Sequence, residues 1–180
     1  MTPKIKFDEF VAQQASRLPQ AEINWNRNLE DWLDHISHFF KLTSEFLDAY
    51  LASGQIQIDY GTKRIIEEYI GEYEAKTATI TIGKSKILLD PIGTNLIGAK
   101  GRIDMIGPNG KVKFVLVDAD ASAPRISVRV WVQGEEPPSE IEKPKVVQWT
   151  WKIGTPPPNI KYIELNRESF FDSLMEVANG

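Results

Sequence analysis

Leu51-Ala52-Ser53-Gly54-Gln55-Ile56-Gln57-Ile58-Asp59-Tyr60 is the stretch where the rhythm of the chain changes. Before Gly54, apolar residues recur every three or four positions. After it, they alternate with polar ones. The first rhythm is that of a helix with one buried face, the second that of a strand with one buried face. The switch predicts helices on the N-terminal side and a sheet on the C-terminal side.

Reading back from Gly54, Leu29, Trp32, Leu33, Ile36, Phe39, Phe40, Phe46, Leu47, Tyr50 and Leu51 form the strongest helical stripe in the chain. Asn28 fits its N-cap, Glu30 and Asp31 suit the positive end of the helix dipole, and Ser53-Gly54 stops it. Thr43-Ser44 interrupts the stripe, which allows two helices here. Further back, Phe7, Phe10, Val11 and Leu18 predict an amphipathic helix over 7–18, ended by Pro19. Residues 20–28, with Trp25 among them, read as a connection.

Reading forward, 55–60 alternates as a half-buried strand does, and 63–73 fits either a helical turn or a strand. Residues 77–82 and 86–89 flank Gly83-Lys84 as a hairpin that Asp90-Pro91 ends. A short strand is expected over 94–97. A second hairpin, 102–106 with 112–117, turns at Gly107-Pro108-Asn109-Gly110. Strict alternation over 126–132, a Pro- and Glu-rich loop over 135–145, and strands over 146–153 and 162–165 follow. Asn166 then caps a helix carrying Phe170, Phe171, Leu174, Met175 and Val177.

This order predicts an α+β fold: N-terminal helices and a C-terminal helix packed on a mostly antiparallel six- or seven-stranded sheet. One domain is expected over 1–180, with a helical part over 1–54, a sheet over 55–165 and a closing helix over 166–180. The 180 residues suffice for one sizeable core, and 42% hydrophobic against 26% charged residues argues against wholesale disorder.

Charge and composition narrow the function classes. A net charge of −4 gives no general attraction to phosphates, so no nucleic acid is expected as a partner. The absence of cysteine removes disulfides, thiolate nucleophiles and cysteine-ligated metals. Apolar runs fall short of a membrane span, no secretory h-region is visible, and a cytoplasmic location is expected.

Four groups of residues invite chemistry. His35 and His38 sit one helical turn from Asp31 and Asp34, a spacing that could face a metal ion, although the same spacing suits a solvated helix face. The glycine-rich stretch 91–102 precedes a strand rather than a helix, so Gly98, Gly101 and Gly107 serve turns, bulges or close strand approach better than a phosphate cradle. Trp149 and Trp151 share one face of a late strand, near Trp131 in sequence. Such indoles fill the core, stack a sugar or base, or anchor a protein partner.

The fourth group is Asp104, Asp118 and Asp120. Gly101-Arg102-Ile103-Asp104, a turn, and a hydrophobic strand ending in Asp118-Ala119-Asp120 resemble the core of the PD-(D/E)xK nucleases over this two-strand stretch. The resemblance implies Mg²⁺ held by these acids, with Glu67 or Glu68 as a further candidate, and water activated for phosphodiester attack. Asp120 stands where that family has lysine, and a strand rather than a helix follows.

No arrangement of serine, histidine and acid forms a nucleophilic triad, and no cofactor is implied. The reading taken forward is a non-catalytic cytosolic protein-interaction or accessory module, with another protein as partner. Its alternatives are a degenerate metal-dependent nuclease-like enzyme using Asp104, Asp118 and Asp120, and a small-ligand or carbohydrate binder using Trp149 and Trp151.

Overall fold

A computed structural model describes residues 3–96, 98–125 and 146–179, apart from the side chains of 3 and 13–24. Its elements run α1 (Pro3–Phe46), α2 (Asp48–Ala52), β1 (Ile56–Glu67), β2 (Gly71–Ile82), β3 (Ser85–Gly93), β4 (Gly101–Gly107), β5 (Gly110–Asp118), β6 (Trp149–Gly154), β7 (Tyr162–Glu164) and α3 (Arg167–Ala178). Among the described residues, all seven strands pair antiparallel in chain order. This is the α+β architecture that the change of rhythm predicts.

Gly54 makes the switch physically. With φ at +74° it takes the left-handed conformation that closes α2. The Gln55 amide donates to Tyr50 O at 3.0 Å and the Gly54 amide to Leu51 O at 3.2 Å, so the last helical carbonyls are satisfied before β1 begins.

Both long helices cover one face of the sheet. Phe114 on β5 meets Phe39 of α1 at 5.2 Å between ring centroids and Phe170 of α3 at 6.1 Å. From α1, Trp32, Ile36, Phe39 and Phe40 enter the core at helical spacing. From the sheet come Ile80, Ile87, Leu89, Ile103, Met105, Phe114 and Leu116. α3 starts with a capping box in which the Asn166 side chain accepts from the Ser169 amide and Ser169 Oγ accepts from the Asn166 amide.

Several local expectations are overturned. α1 runs unbroken through Pro19 and through 20–28. A proline removes one backbone donor and crowds the preceding turn, which penalises a helix without obliging it to end. The break comes at Leu47 instead of Thr43-Ser44, because Thr43 is buried with its hydroxyl donating to Phe40 O at 3.2 Å. Asp90-Pro91 does not end β3, which continues to Gly93, and the pairing with β4 absorbs the proline as a register shift.

The ambiguous segment 63–73 is strand, turn and strand, with Gly71 at φ +87° opening β2. Residues 94–96 are loop. The strand expected over 126–132 and the loop over 135–145 lie outside the described residues. Within β2 the buried positions change parity, from Ala78 and Ile80 to Tyr73 and Ala75. The distal end of the β1–β2 hairpin therefore buries its other side and curls toward α1. Among the described residues, no helix is long and apolar enough to cross a membrane.

Candidate functional site

The sheet end that carries Trp149, the lower part of α1 and the tip of the β1–β2 hairpin meet around a cleft. Trp149 and Trp151 share a face of β6, paired with Asp118 and Leu116 of β5. Two positions separate their environments. Trp151 is buried, with its ring 5.0 Å from that of Phe39 and 6.0 Å from that of Trp32, and its Nε1 donates to His35 O at 3.2 Å. Trp149 stands beyond the helix cover and is 39% exposed.

Lys100, just ahead of β4, lies against the Trp149 indole with its ammonium 5.1 Å from the ring centre. The same ammonium donates to the Asp31 carboxylate on α1, and this hydrogen bond holds Asp31 below the usual carboxylate range. Lys100 is fixed by its own amide, which donates to Leu116 O at 2.7 Å.

The floor is Trp32. Gly101 follows Lys100 because the Trp32 ring lies directly on it: a Cβ there would stand 2.2 Å from Trp32 Cζ3. Trp32 Nε1 donates to Tyr73 OH at 3.0 Å, and Tyr73 OH donates to Glu67 Oε1 at 2.5 Å. Burial and the neighbouring Glu67 carboxylate push the Tyr73 phenol well above its ordinary value, so it stays protonated. The other Glu67 oxygen accepts from the Thr94 amide at 3.0 Å, Thr94 Oγ1 at 2.9 Å and the Asn95 amide at 2.9 Å. One carboxylate thus ties the hairpin tip, the 94–95 loop and the floor together.

The far wall is Trp25, two turns before Trp32 on the same face of α1. Its ring stacks on Tyr69 of the hairpin tip, 5.4 Å between centres and 12° from parallel. The hollow between these walls holds about 370 Å³ and is lined by Trp25, Asn28, Trp32, Ile70, Thr94, Lys100 and Trp149. Trp25 also borders a hollow of about 300 Å³ that includes Glu67 and Leu96. Trp149 borders another, of about 360 Å³, that includes Asp118 and Arg125. The two indoles therefore stand as fins between three adjoining compartments.

The acids of the nuclease resemblance do not converge: Asp118 borders the compartment beyond Trp149, and Asp104 lies elsewhere. Asp104 lies on the sheet face opposite the helices, opposed to Lys113 across the β4–β5 pair, whereas Asp118 pairs with Trp149. Five residues of β5 separate Lys113 from Asp118, about 17 Å at the usual rise per strand residue. The strand parity also turns Asp104 and Asp118 to opposite faces. Asp104 is buried in an ion pair with Arg102 at 2.8 Å and another with Lys111 at 3.2 Å. Asp118 accepts from the Asp120 amide at 3.1 Å.

His35 is part-buried; burial and the Lys100 charge lower its pKa. Its helical neighbour Asp31 is engaged by Lys100, while His38 is exposed. Among the described residues, no group of three or more His, Asp or Glu is placed to hold a metal ion.

Sequence reasoning singled out Trp149 and Trp151 and missed Trp25, Tyr69 and Lys100. Trp25 was hidden by the expected connection; its seven-residue spacing from Trp32 was the available signal. Comparison of the chain with known protein families, with curated proteins and with solved structures finds no match.

Proposed function

We propose that this chain is a non-catalytic binding protein whose cleft takes a neutral, extended ligand with flat apolar faces and hydroxyl edges, an oligosaccharide in chemical class. The observation that carries the reading is the pair of indoles, Trp25 and Trp149, each more than one-third exposed and each dividing two adjoining compartments. Sugar rings present a C–H face that packs on an indole and hydroxyls that exchange hydrogen bonds with groups such as Asn28, Asp31, Thr94 and Lys100. Lys100 and Asp31 neutralise each other, which suits a ligand without net charge. Asp118 borders the compartment beyond Trp149 while Asp104 lies on the opposite sheet face, so these two acids do not converge on one point.

Tryptophan fluorescence titrated with a panel of neutral glycans tests this. A saturable change that Trp149→Ala and Trp25→Ala each weaken by about tenfold or more supports it, since one stacking contact is worth ~1–3 kcal/mol. Saturable binding that both variants leave intact removes the cleft from the account.

A second reading, interaction with another protein, is favoured by one observation. Ile5, Phe7, Phe10 and Val11 on the N-terminal part of α1 are all about half exposed. Phe7→Asp with Phe10→Asp is the matching test, read as loss of a defined partner in cross-linking from cells. A partner retained by the double variant excludes this stripe.

A further inference from the structure

We propose a second, separate binding site on the sheet face away from the helices, where Lys113 and Arg102 receive the carboxylate of a small ligand with a short apolar body. The face is cationic although the chain carries a net charge of −4. Arg102, Lys111 and Lys113 project from β4 and β5 around one buried carboxylate, Asp104. Asp104 is already engaged by Arg102 and Lys111. Its neighbour across β3, Asp90, is engaged by Lys63 at 2.6 Å. Glu164 at the β7 edge is engaged by Lys152 at 2.7 Å. Among the described residues Lys113 has no ion-pair partner: Glu176 lines the adjoining hollow without reaching it.

Beside Lys113 lies a hollow of about 150 Å³. Leu96, Val115, Pro124 and Ile160 give it an apolar floor, and Arg102, Lys113 and Tyr162 give it polar walls. Gly154, opposite Lys113 in the β5–β6 register, keeps the space open, since a side chain there would start to fill it. Burial raises the Tyr162 pKa, which keeps its hydroxyl protonated as a donor. Lys152, buried beside Val115 in the register, is fully occupied by Ala119 O at 2.8 Å, Ala121 O at 2.9 Å and Glu164. It clamps the 119–121 loop and leaves Lys113 facing the hollow next to Arg102, whose Nη1 is the donor not turned toward Asp104. A cation pair over an apolar floor selects an oxyanion that carries hydrocarbon over a bare ion or a neutral chain.

Titration of the full chain with hexanoate, hexanol and inorganic phosphate, followed by amide chemical shifts at Lys113, Gly154 and Thr155, tests the site. Hexanoate is expected to saturate these shifts, with hexanol and phosphate weaker by about tenfold or more, the usual worth of a charge-assisted hydrogen bond. Lys113→Met is expected to weaken hexanoate by a similar factor and Lys113→Arg to retain it. Lys113→Gln takes the place of the methionine variant should that one misfold by circular dichroism. The site is refuted by unsaturable hexanoate shifts, by hexanol or phosphate binding as tightly, or by a neutral residue at 113 that leaves hexanoate affinity unchanged.

Discussion

Gly101→Ala is the most informative single change, because it inserts one methyl directly beneath the Trp32 ring. The added Cβ would stand 2.2, 2.6 and 2.7 Å from three Trp32 ring atoms. Carbon atoms in contact settle near 3.5 Å, so the indole must recede by more than 1 Å. Trp32 is fully buried, with Trp151 close on one side and its Nε1 held by Tyr73 at 3.0 Å. Overpacking of this kind costs ~1–3 kcal/mol, and losing the buried N–H···O bond adds ~1–3 kcal/mol. The sum is about 2–6 kcal/mol. For a chain of this size, ~1 kcal/mol moves the melting temperature by about 2–4 °C, so a fall of roughly 4–24 °C is expected.

Urea unfolding and a thermal scan measure the loss, and a double-mutant cycle with Trp32→Phe identifies its origin. A smaller ring at 32 makes room for the methyl, so the two changes together should cost less than the sum of their separate effects. Strict additivity, or a Gly101→Ala protein within ~0.5 kcal/mol of the parent, would show that the floor of the cleft is not set by this contact.

Asp104→Asn leaves Arg102 and Lys111 facing a neutral amide in a buried position and should cost ~3 kcal/mol in urea unfolding; a change below ~1 kcal/mol contradicts the buried pairing. Tyr73→Phe removes the acceptor of Trp32 Nε1 and a donor to Glu67, for an expected loss of ~1–3 kcal/mol, seen also as altered Trp32 fluorescence. Asn166→Ala should lower stability by ~1 kcal/mol through the lost cap of α3, with a thermal scan as the check. Lys100 depresses the Asp31 pKa in the folded state, so its contribution is present at neutral pH and is lost as pH falls through that lowered value. Because the Asp31 side chain is half exposed, the stability gap between the parent and Asp31→Asn should be below ~1 kcal/mol at pH 7 and close toward strong acid. A gap that widens on acidification has the wrong sign.

What the sequence made legible was periodicity, and what it hid was the meeting of distant parts. The alternation after Gly54 and the turn residues at 83–84 and 107–110 were enough to place β2 to β5, because each hairpin is decided by neighbours in the chain. Asn166 and its apolar partners likewise announced α3. Pro19 misled because a local penalty was read as a boundary. The cleft was half legible: Trp149 and Trp151 were seen as a pair on one strand face, but which of them is covered depends on where α1 ends its contact with the sheet. The ionic surroundings of Asp104 were partly visible, since Arg102 lies two residues away on the same face, whereas Lys111 reaches it from the next strand. The separation of Asp104 from Asp118 follows from strand register, and nothing in either residue's own neighbourhood reports it.

The strand order has a kinetic implication. Because each described strand pairs with the next described one, β1 to β5 can zip from turn to turn with little loop-closure entropy, and the step from Asp118 to Trp149 is the long closure within the sheet. α1 closes longer spans still: its indole at 32 bonds a residue 41 positions on, and its His35 carbonyl bonds one 116 positions on. During synthesis from the N-terminus, the part of α1 that packs on Trp151, around Trp32, His35 and Phe39, must therefore wait for its cover until β6 has emerged. The aromatic walls then come together in the same late docking event that makes the chain native, so occupancy of the cleft reports completed folding.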